Sequence, residues 1–305
     1  MPEAGLQLHS NCTAPDALPA AFAPARPIQA TVHIMNAIRT GFVLRILPNQ
    51  PAKEAKALVN DSRAEHFEPS HPTTETDSMW AAWLAKAPVI YDQIYYKSNP
   101  LVASVNLAGH RMIERPFDNK IHFESVLEVG AGTGAHLDHV RHSFNRYIVT
   151  DLSAEYLALA KLRHGGEGRA NVEYEIADAT RLPYRSGTFD RLISVYNLEH
   201  LPEPHNVLRE WMRVVRPGGV ISIAIPTEGG IAWNLGRFLT TRRSFAREGL
   251  NLDYIIAREH INACYRLMAL MRHIFPELTE AWFPLGLPLA DINLVVAVTA
   301  HMPQI

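Results

Sequence analysis

VLEVGAGTGAHL, Val126 to Leu137, places Gly130, Gly132 and Gly134 within five residues, directly behind an apolar run. Glycines this close strip the chain of side chains where it leaves a strand, so a polar ligand can lie against the main chain. A helix expected over about 135–144 would add free N–H groups and a positive dipole end. Gly130, Gly132 and Ala135 also fit G-x-G-x-x-G/A, and Asp151 follows Gly130 by 21 residues, a spacing that admits a dinucleotide. The loop alone leaves both ligand classes open.

Working outward, short apolar runs alternate with amphipathic segments. Strands are expected at 125–130, 146–151, 172–178, 189–195 and 218–226. Helices are expected at about 135–144, 153–164 and 204–215, the last stopped by RPGG. Such alternation implies an α/β fold, a parallel sheet with right-handed crossovers and helices on both faces, with ligands at the carboxyl ends of the strands. Beyond it come an insertion (229–257), a long helix (258–275), and strands near 278–284 and 292–300. Before it, residues 79–120 carry apolar and aromatic residues at helical spacing, broken at Pro88 and Pro100, and read as a helical cap. Residues 1–78, punctuated by prolines, read as a disordered leader and linker, with 28–47 as an alternative amphipathic, membrane-touching or transit-like helix. The domain proper is expected over 121–305.

The neighbours of the loop decide between the ligands. Glu128 stands two residues before Gly130, TDLS follows the second strand, and the third ends in IADATRLPY. From Ser125 to Pro226 the chain resembles the class I S-adenosylmethionine-dependent methyltransferases, with the elements in the family's order and spacing. The resemblance implies a Rossmann-like, seven-stranded, mostly parallel sheet whose last strand, INLVVAVTA, is antiparallel. It implies S-adenosyl-L-methionine as cofactor, with Gly130, Ala131, Gly132, Thr133 and Gly134 along its methionine part. Glu128 would hold the loop or the ammonium group, and Asp151 the ribose hydroxyls. Leu152 would pack on the adenine, Asp178 and Ala179 would bond it, and Tyr196 and Asn197 would line the passage to the methyl group. Singly, Glu128 also suits a loop cap and Asp151 the start of the helix DLSAEYLALAK; jointly, acidic and glycine sites at consecutive strand ends read as a ligand site.

Methyl transfer from a sulfonium is an in-line displacement that needs alignment, and a base only where the acceptor arrives protonated. His200, in NLEHLPEP, is the candidate base and Glu199 its orienting partner, against a plain capping role for His200. His260 is a second candidate. His136, His139 and His142, spaced i, i+3, i+6, read as a solvent-facing helix stripe, and no metal site is expected.

Acceptor choice is expected from the helical preface and the insertion. Tyr91, Tyr95 and Tyr96 suit either a lid over the donor or a core. Arg237, Arg242, Arg243 and Arg247, among Trp233, Phe238 and Phe245, suit either an anion grip or a solvated basic face. YNLEH after the fourth strand lacks the Asn/Asp-Pro-Pro-Tyr signature of amino-directed DNA and protein-glutamine methyltransferases. With 29 basic against 31 acidic residues, nothing draws the chain to nucleic acid. A small-molecule or lipid- or sugar-linked acceptor, methylated on oxygen, is the expected partner. A dinucleotide-dependent oxidoreductase and a non-catalytic donor-binding protein remain the alternatives. Two distant cysteines, Cys12 and Cys264, form no disulfide framework and suit a reducing cytoplasm; no apolar run is long enough to span a bilayer.

Overall fold

The computed structural model describes residues 77–97, 99–165 and 170–304. The leader reading, the 28–47 segment and Cys12 lie outside the described residues.

Seven strands form one sheet: β1 (His122–Val129), β2 (Ser143–Asp151), β3 (Val172–Ile176), β4 (Phe189–Val195), β5 (Val215–Pro226), β6 (Glu277–Phe283) and β7 (Val295–His301). Their order is β3-β2-β1-β4-β5-β7-β6, with β7 antiparallel to both neighbours. Strand order therefore reverses between β1 and β4, and the Gly130 loop and Tyr196 leave the sheet side by side at that reversal.

Parity along β1 explains the two cores. Leu127 and Val129 pack with Leu208 and Trp211 of α4 (Pro204–Val214) and with Leu267 and Met271 of α8 (Cys264–Ile274). Val126 packs on the opposite face with Met112 and Ile113 of α2 (Pro100–Glu114) and Leu157 of α3 (Ala154–His164). Burial on both faces is why β1 reads as a continuous apolar run interrupted by a single acid. Glu128 has the parity of Val126 and is only 2% exposed.

A third core joins segments remote in sequence. Trp83, Ala87 and Ile90 of α1 (Ser78–Asp92) pack with Phe245 of α6 (Thr241–Arg247) and with Leu252, Ile255 and Ile256 of α7 (Leu252–Glu259). The Trp83 and Phe245 ring centroids are 5.5 Å apart. With α5 (Ile231–Leu239), preface and insertion build a shared cap.

Four local expectations are corrected. The helix expected at 135–144 is a 3-10 turn, Ala135–Asp138, because β2 already begins at Ser143 and His136 is drawn inward to the Glu114 carboxylate. His136 and His142 are accordingly buried rather than part of a solvent-facing stripe. Pro88 does not break α1: the carbonyl its ring deprives of a donor is that of Leu84, on the exposed side. The chain instead loosens into a π-turn at Gln93–Lys97, and Asn99 with Pro100 starts α2. The long helix at 258–275 is split, since Asn262 turns its amide to the carbonyls of Leu198 and Leu201 and its own N–H to that of Glu199. The helix does stop ahead of RPGG, at Val214, while the strand expected from 218 begins at Val215, so RPGG forms the irregular start of β5. No helix among the described residues is long and apolar enough to cross a membrane.

Candidate active site

Gly130, Gly132 and Gly134 all hold positive φ, 63°, 55° and 72°, a conformation that side-chain-bearing residues seldom adopt. Their surroundings differ. A Cβ on Gly130 would collide with the Asn197 amide, whereas one on Gly132 would meet nothing within 4 Å. Gly130 therefore serves packing, and Gly132 keeps space clear. Three of the loop's N–H donors are engaged within the protein: Ala131 donates to the Thr150 carbonyl, Gly132 to Asp151 Oδ2 at 2.8 Å, and Gly134 to the Ala131 carbonyl. With a 3-10 turn in place of an α-helix, the loop contributes a bare surface rather than a dipole end.

That surface faces a cavity of about 410 Å³ lined by Glu128, Gly130, Ala131, Gly132, Thr133, Asp151, Tyr196, Asn197 and His200, together with Tyr96, His110 and Glu259. Asp151, half-buried at the end of β2, accepts from Gly132 and from Ser153 N (2.9 Å) on different oxygens, which leaves each oxygen a lone pair for a ligand hydroxyl. Burial raises its pKa against those backbone bonds. Glu128 accepts from the Tyr147 hydroxyl at 2.7 Å, and burial raises its pKa too. Thr133 Oγ1 donates to Asp92 at 2.7 Å, tying the glycine loop to the end of α1. Gly134, Leu152, Asp178 and Ala179 do not line this cavity. Leu152 is 70% exposed, and one Asp178 oxygen accepts from both Thr180 N and Thr180 Oγ1.

Tyr196 does more than line a passage. At φ 54° it turns its hydroxyl into the α2 backbone, accepting from Gly109 N at 3.2 Å and lying 3.1 and 3.0 Å from the carbonyls of Val105 and Asn106. Glycine at position 109 leaves room for this approach.

Sequence reasoning missed the polar chain behind Tyr96. The Tyr96 hydroxyl is 3.1 Å from His110 Nε2, His110 Nδ1 is 3.2 Å from His136 Nδ1, and His136 Nε2 is 3.1 Å from Glu114 Oε1. Arg191, fully buried, completes it at 2.7 Å from the same oxygen, with its guanidinium 4.0 Å from the Phe117 ring centre. Burial opposes the charge on Glu114, but His136 and Arg191 hold its pKa down at about 2. An ionised Glu114 only accepts, so His136 Nε2–H donates to it, His136 Nδ1 accepts from His110 and His110 Nε2 accepts from the Tyr96 hydroxyl. No spacing rule brings Glu114, His136 and Arg191 together, because they come from a helix, a loop and a strand.

A second cavity of about 420 Å³ adjoins the first, sharing Tyr91, Tyr196, His200 and Glu259. Its walls are mostly apolar, among them Leu101, Val102, Val105, Ile256 and Phe283, with Glu199, Arg237 and His260 as polar points. Preface and insertion both line it. Of the expected arginine cluster only Arg237 does so, paired with Glu228 at 3.0 Å; Arg242 pairs with Asp253, and Arg243 and Arg247 are exposed. Tyr91 and Tyr95 pack together, centroids 4.7 Å apart, and both line this cavity.

At the junction, His200 Nδ1 donates to the Glu259 carbonyl at 3.1 Å, leaving Nε2 with its lone pair. Burial and the neighbouring His260 pull its pKa down to about 3, and burial pushes that of Glu199 up to about 7. Glu199 Oε1 lies 4.0 Å from His200 Nε2, beyond hydrogen-bonding reach, so Glu199 does not orient the ring; the Glu259 carbonyl does.

Residues 127–223 match the family model described as a methyltransferase domain. Methyltransferase GfsG of Streptomyces halstedii is 31% identical over 140 residues, 44% of this chain and 50% of the relative. Demethylmenaquinone methyltransferase of Clavibacter sepedonicus is 30% identical over 152 residues, 48% of this chain and 61% of the relative. The chain thus spans about half to three-fifths of the length of these curated relatives. The crystal structure of N-methyltransferase NodS from Bradyrhizobium japonicum WM9 in complex with S-adenosyl-L-homocysteine superposes with a TM-score of 0.50 at 13% identity, covering 74% of this chain and 99% of that one, a likeness of fold alone.

Proposed function

We propose that the protein is a class I S-adenosylmethionine-dependent methyltransferase, as the match of residues 127–223 to a methyltransferase domain supports, and that it methylates a hydroxyl of a small, largely apolar acceptor. The observation that carries this reading is the pair of adjoining cavities, one floored by the glycine loop and the other walled by apolar side chains.

The residues suit the donor. Unfilled space over Gly132 accepts a ligand against bare main chain, Asp151 keeps lone pairs for ribose hydroxyls, and buried Glu128 answers an ammonium group. When bound, S-adenosylmethionine supplies a methyl group on a positively charged sulfur. The chain's part is to hold both partners and exclude water: Thr133 and Asp92 tie the cap to the loop, and the Tyr196 hydroxyl fixes α2 over the strand ends. His200 lines both cavities and Glu199 the second, and in this reading they face the acceptor's oxygen. Leu152, Asp178 and Ala179 belong to this proposal as the outer edge of the nucleoside site. The apolar second cavity favours a small molecule over nucleic acid, and the cysteine usage favours a cytoplasmic setting.

The dinucleotide alternative loses its footing, because that motif needs a helix N-terminus at the pyrophosphate and the loop here leads into a four-residue 3-10 turn. Calorimetric titration with S-adenosylmethionine and separately with NAD(H) tests the choice: binding of the first alone is expected, and binding of NAD(H) alone overturns the proposal. Methyl-labelled donor incubated with protein and cell extract then identifies the product. Label retained by the product through hydriodic acid, which cleaves O-methyl groups as methyl iodide, would place the methyl on nitrogen or carbon and refute O-methylation.

A further inference from the structure

Two buried polar atoms of residues lining the second cavity, next in sequence to the shared residues His200 and Glu259, lack hydrogen bonds: Glu199 Oε2 and His260 Nδ1. Glu199 is 1% exposed, and unsatisfied atoms in such places call for an explanation. His260 Nδ1 is 3.2 Å from Glu228 Oε2 but out of line for a hydrogen bond. The His200 and His260 rings meet edge to face, centroids 4.6 Å apart. One ring nitrogen from each and one oxygen of Glu259 lie within 4.8 Å of one another.

We propose that His200, His260 and Glu259 hold a divalent transition-metal cation at the junction of the two cavities, with the Glu199 carboxylate facing it.

The donor set chooses the class of ion. Two imidazoles and a carboxylate with open positions suit Mn²⁺, Fe²⁺, Co²⁺, Ni²⁺ or Zn²⁺ and disfavour Mg²⁺ and Ca²⁺, which prefer all-oxygen shells. Supporting groups are in place. His200 is oriented through Nδ1 by the Glu259 carbonyl, Glu259 Oε1 accepts from the Trp83 indole at 2.5 Å, and Glu228 is steadied by Trp233 and Arg237. The cation would also offset the charge of buried Glu199, whose nearest ion-pair approach among the described residues is His200 Nε2 at 4.0 Å, and of half-buried Glu259. The split between α7 and α8 acquires a purpose, since it sets His260 beside His200.

The cation's role rests on the methyltransferase reading; the site itself does not. An acceptor hydroxyl reaching the open position would give its proton to Glu199. Its oxygen lone pair would form the new O–C bond as the donor's S–C bond breaks and sulfur keeps that electron pair.

Chelator-dialysed protein is titrated with Co²⁺ while visible absorption and heat are followed. One equivalent per chain should develop a ligand-field band. His260→Gln and Glu259→Gln should each weaken binding at least about 10-fold, the lower bound seen when even supporting residues of a metal site are lost. His205→Ala, an exposed histidine beside Glu203, should change nothing. His260 does not line the donor cavity, so unchanged S-adenosylhomocysteine affinity certifies that His260→Gln is folded. No band in the wild-type protein, or equal Co²⁺ affinity in folded His260→Gln, overturns the proposal. Co²⁺ binding without S-adenosylmethionine binding would leave the site standing and sink the methyltransferase reading.

Discussion

Gly132→Ala separates the two services a glycine loop can perform. The added methyl meets no atom within 4 Å, so its structural cost is confined to the left-handed backbone at φ 55°. That cost is about 1–2 kcal/mol, a fall of about 2–8 °C in melting temperature for a domain of this size. Donor binding should suffer separately. If the ligand lies on the main chain at this point, a methyl group in a closely fitted contact costs about 1–3 kcal/mol, a loss of about 5- to 150-fold in affinity. Gly130→Ala is the counterpart: its Cβ runs into the Asn197 amide and should lower the melting temperature by more than Gly132→Ala does, ligand or none. Calorimetric titration with S-adenosylhomocysteine and thermal melts of both variants measure the two effects. Unchanged affinity in Gly132→Ala would mean that nothing lies against the loop, and the account of the cavity would fail.

Asp151→Asn should weaken donor binding by about 1.5–3 kcal/mol, the worth of a charged hydrogen bond, measured by the same titration. Arg191→Met should destabilise the fold by about 3–5 kcal/mol by leaving Glu114 buried without its cation, and adding Glu114→Gln should restore part of the loss in urea melts. The histidines set an acid limit. Burial, then Arg191, pulls the pKa of His142 down to about 4, so between there and the ordinary histidine value the unfolded chain binds a proton that the folded one does not. Stability from this residue is complete above about pH 6.5 and lost as pH falls towards 4, about 3 kcal/mol in all. His142→Phe, among Phe117, Phe123 and Phe144, should flatten the melting-temperature profile in that window.

The sheet was legible in the sequence because its evidence is local. Val126 to Val129 are buried on both faces, so apolar residues follow one another, and Glu128 stood out as the one acid among them. The same locality misled over His136 and His139, where helical spacing implied a helix that has no room before β2. Tyr196 and Asn197 were placed correctly after β4, but the Tyr196 hydroxyl's grip on α2 depends on Gly109, 87 residues away. His200 was singled out for chemistry, yet its orienting partner is the Glu259 backbone rather than the adjacent Glu199. Pairings of this kind are set by how α7 meets the loop after β4, and no periodicity records that.

The packing of Trp83 on Phe245, with the Trp83 indole bound to Glu259, joins two stretches that flank the five parallel strands in the order of the chain, and both stretches line both cavities. Shortening the protein to begin at residue 100 would keep every strand, yet take Asp92 from Thr133 of the glycine loop, unseat Glu259 and open both cavities. In such an architecture the shape of either chamber is changed by paired edits, one ahead of β1 and one between β5 and β6.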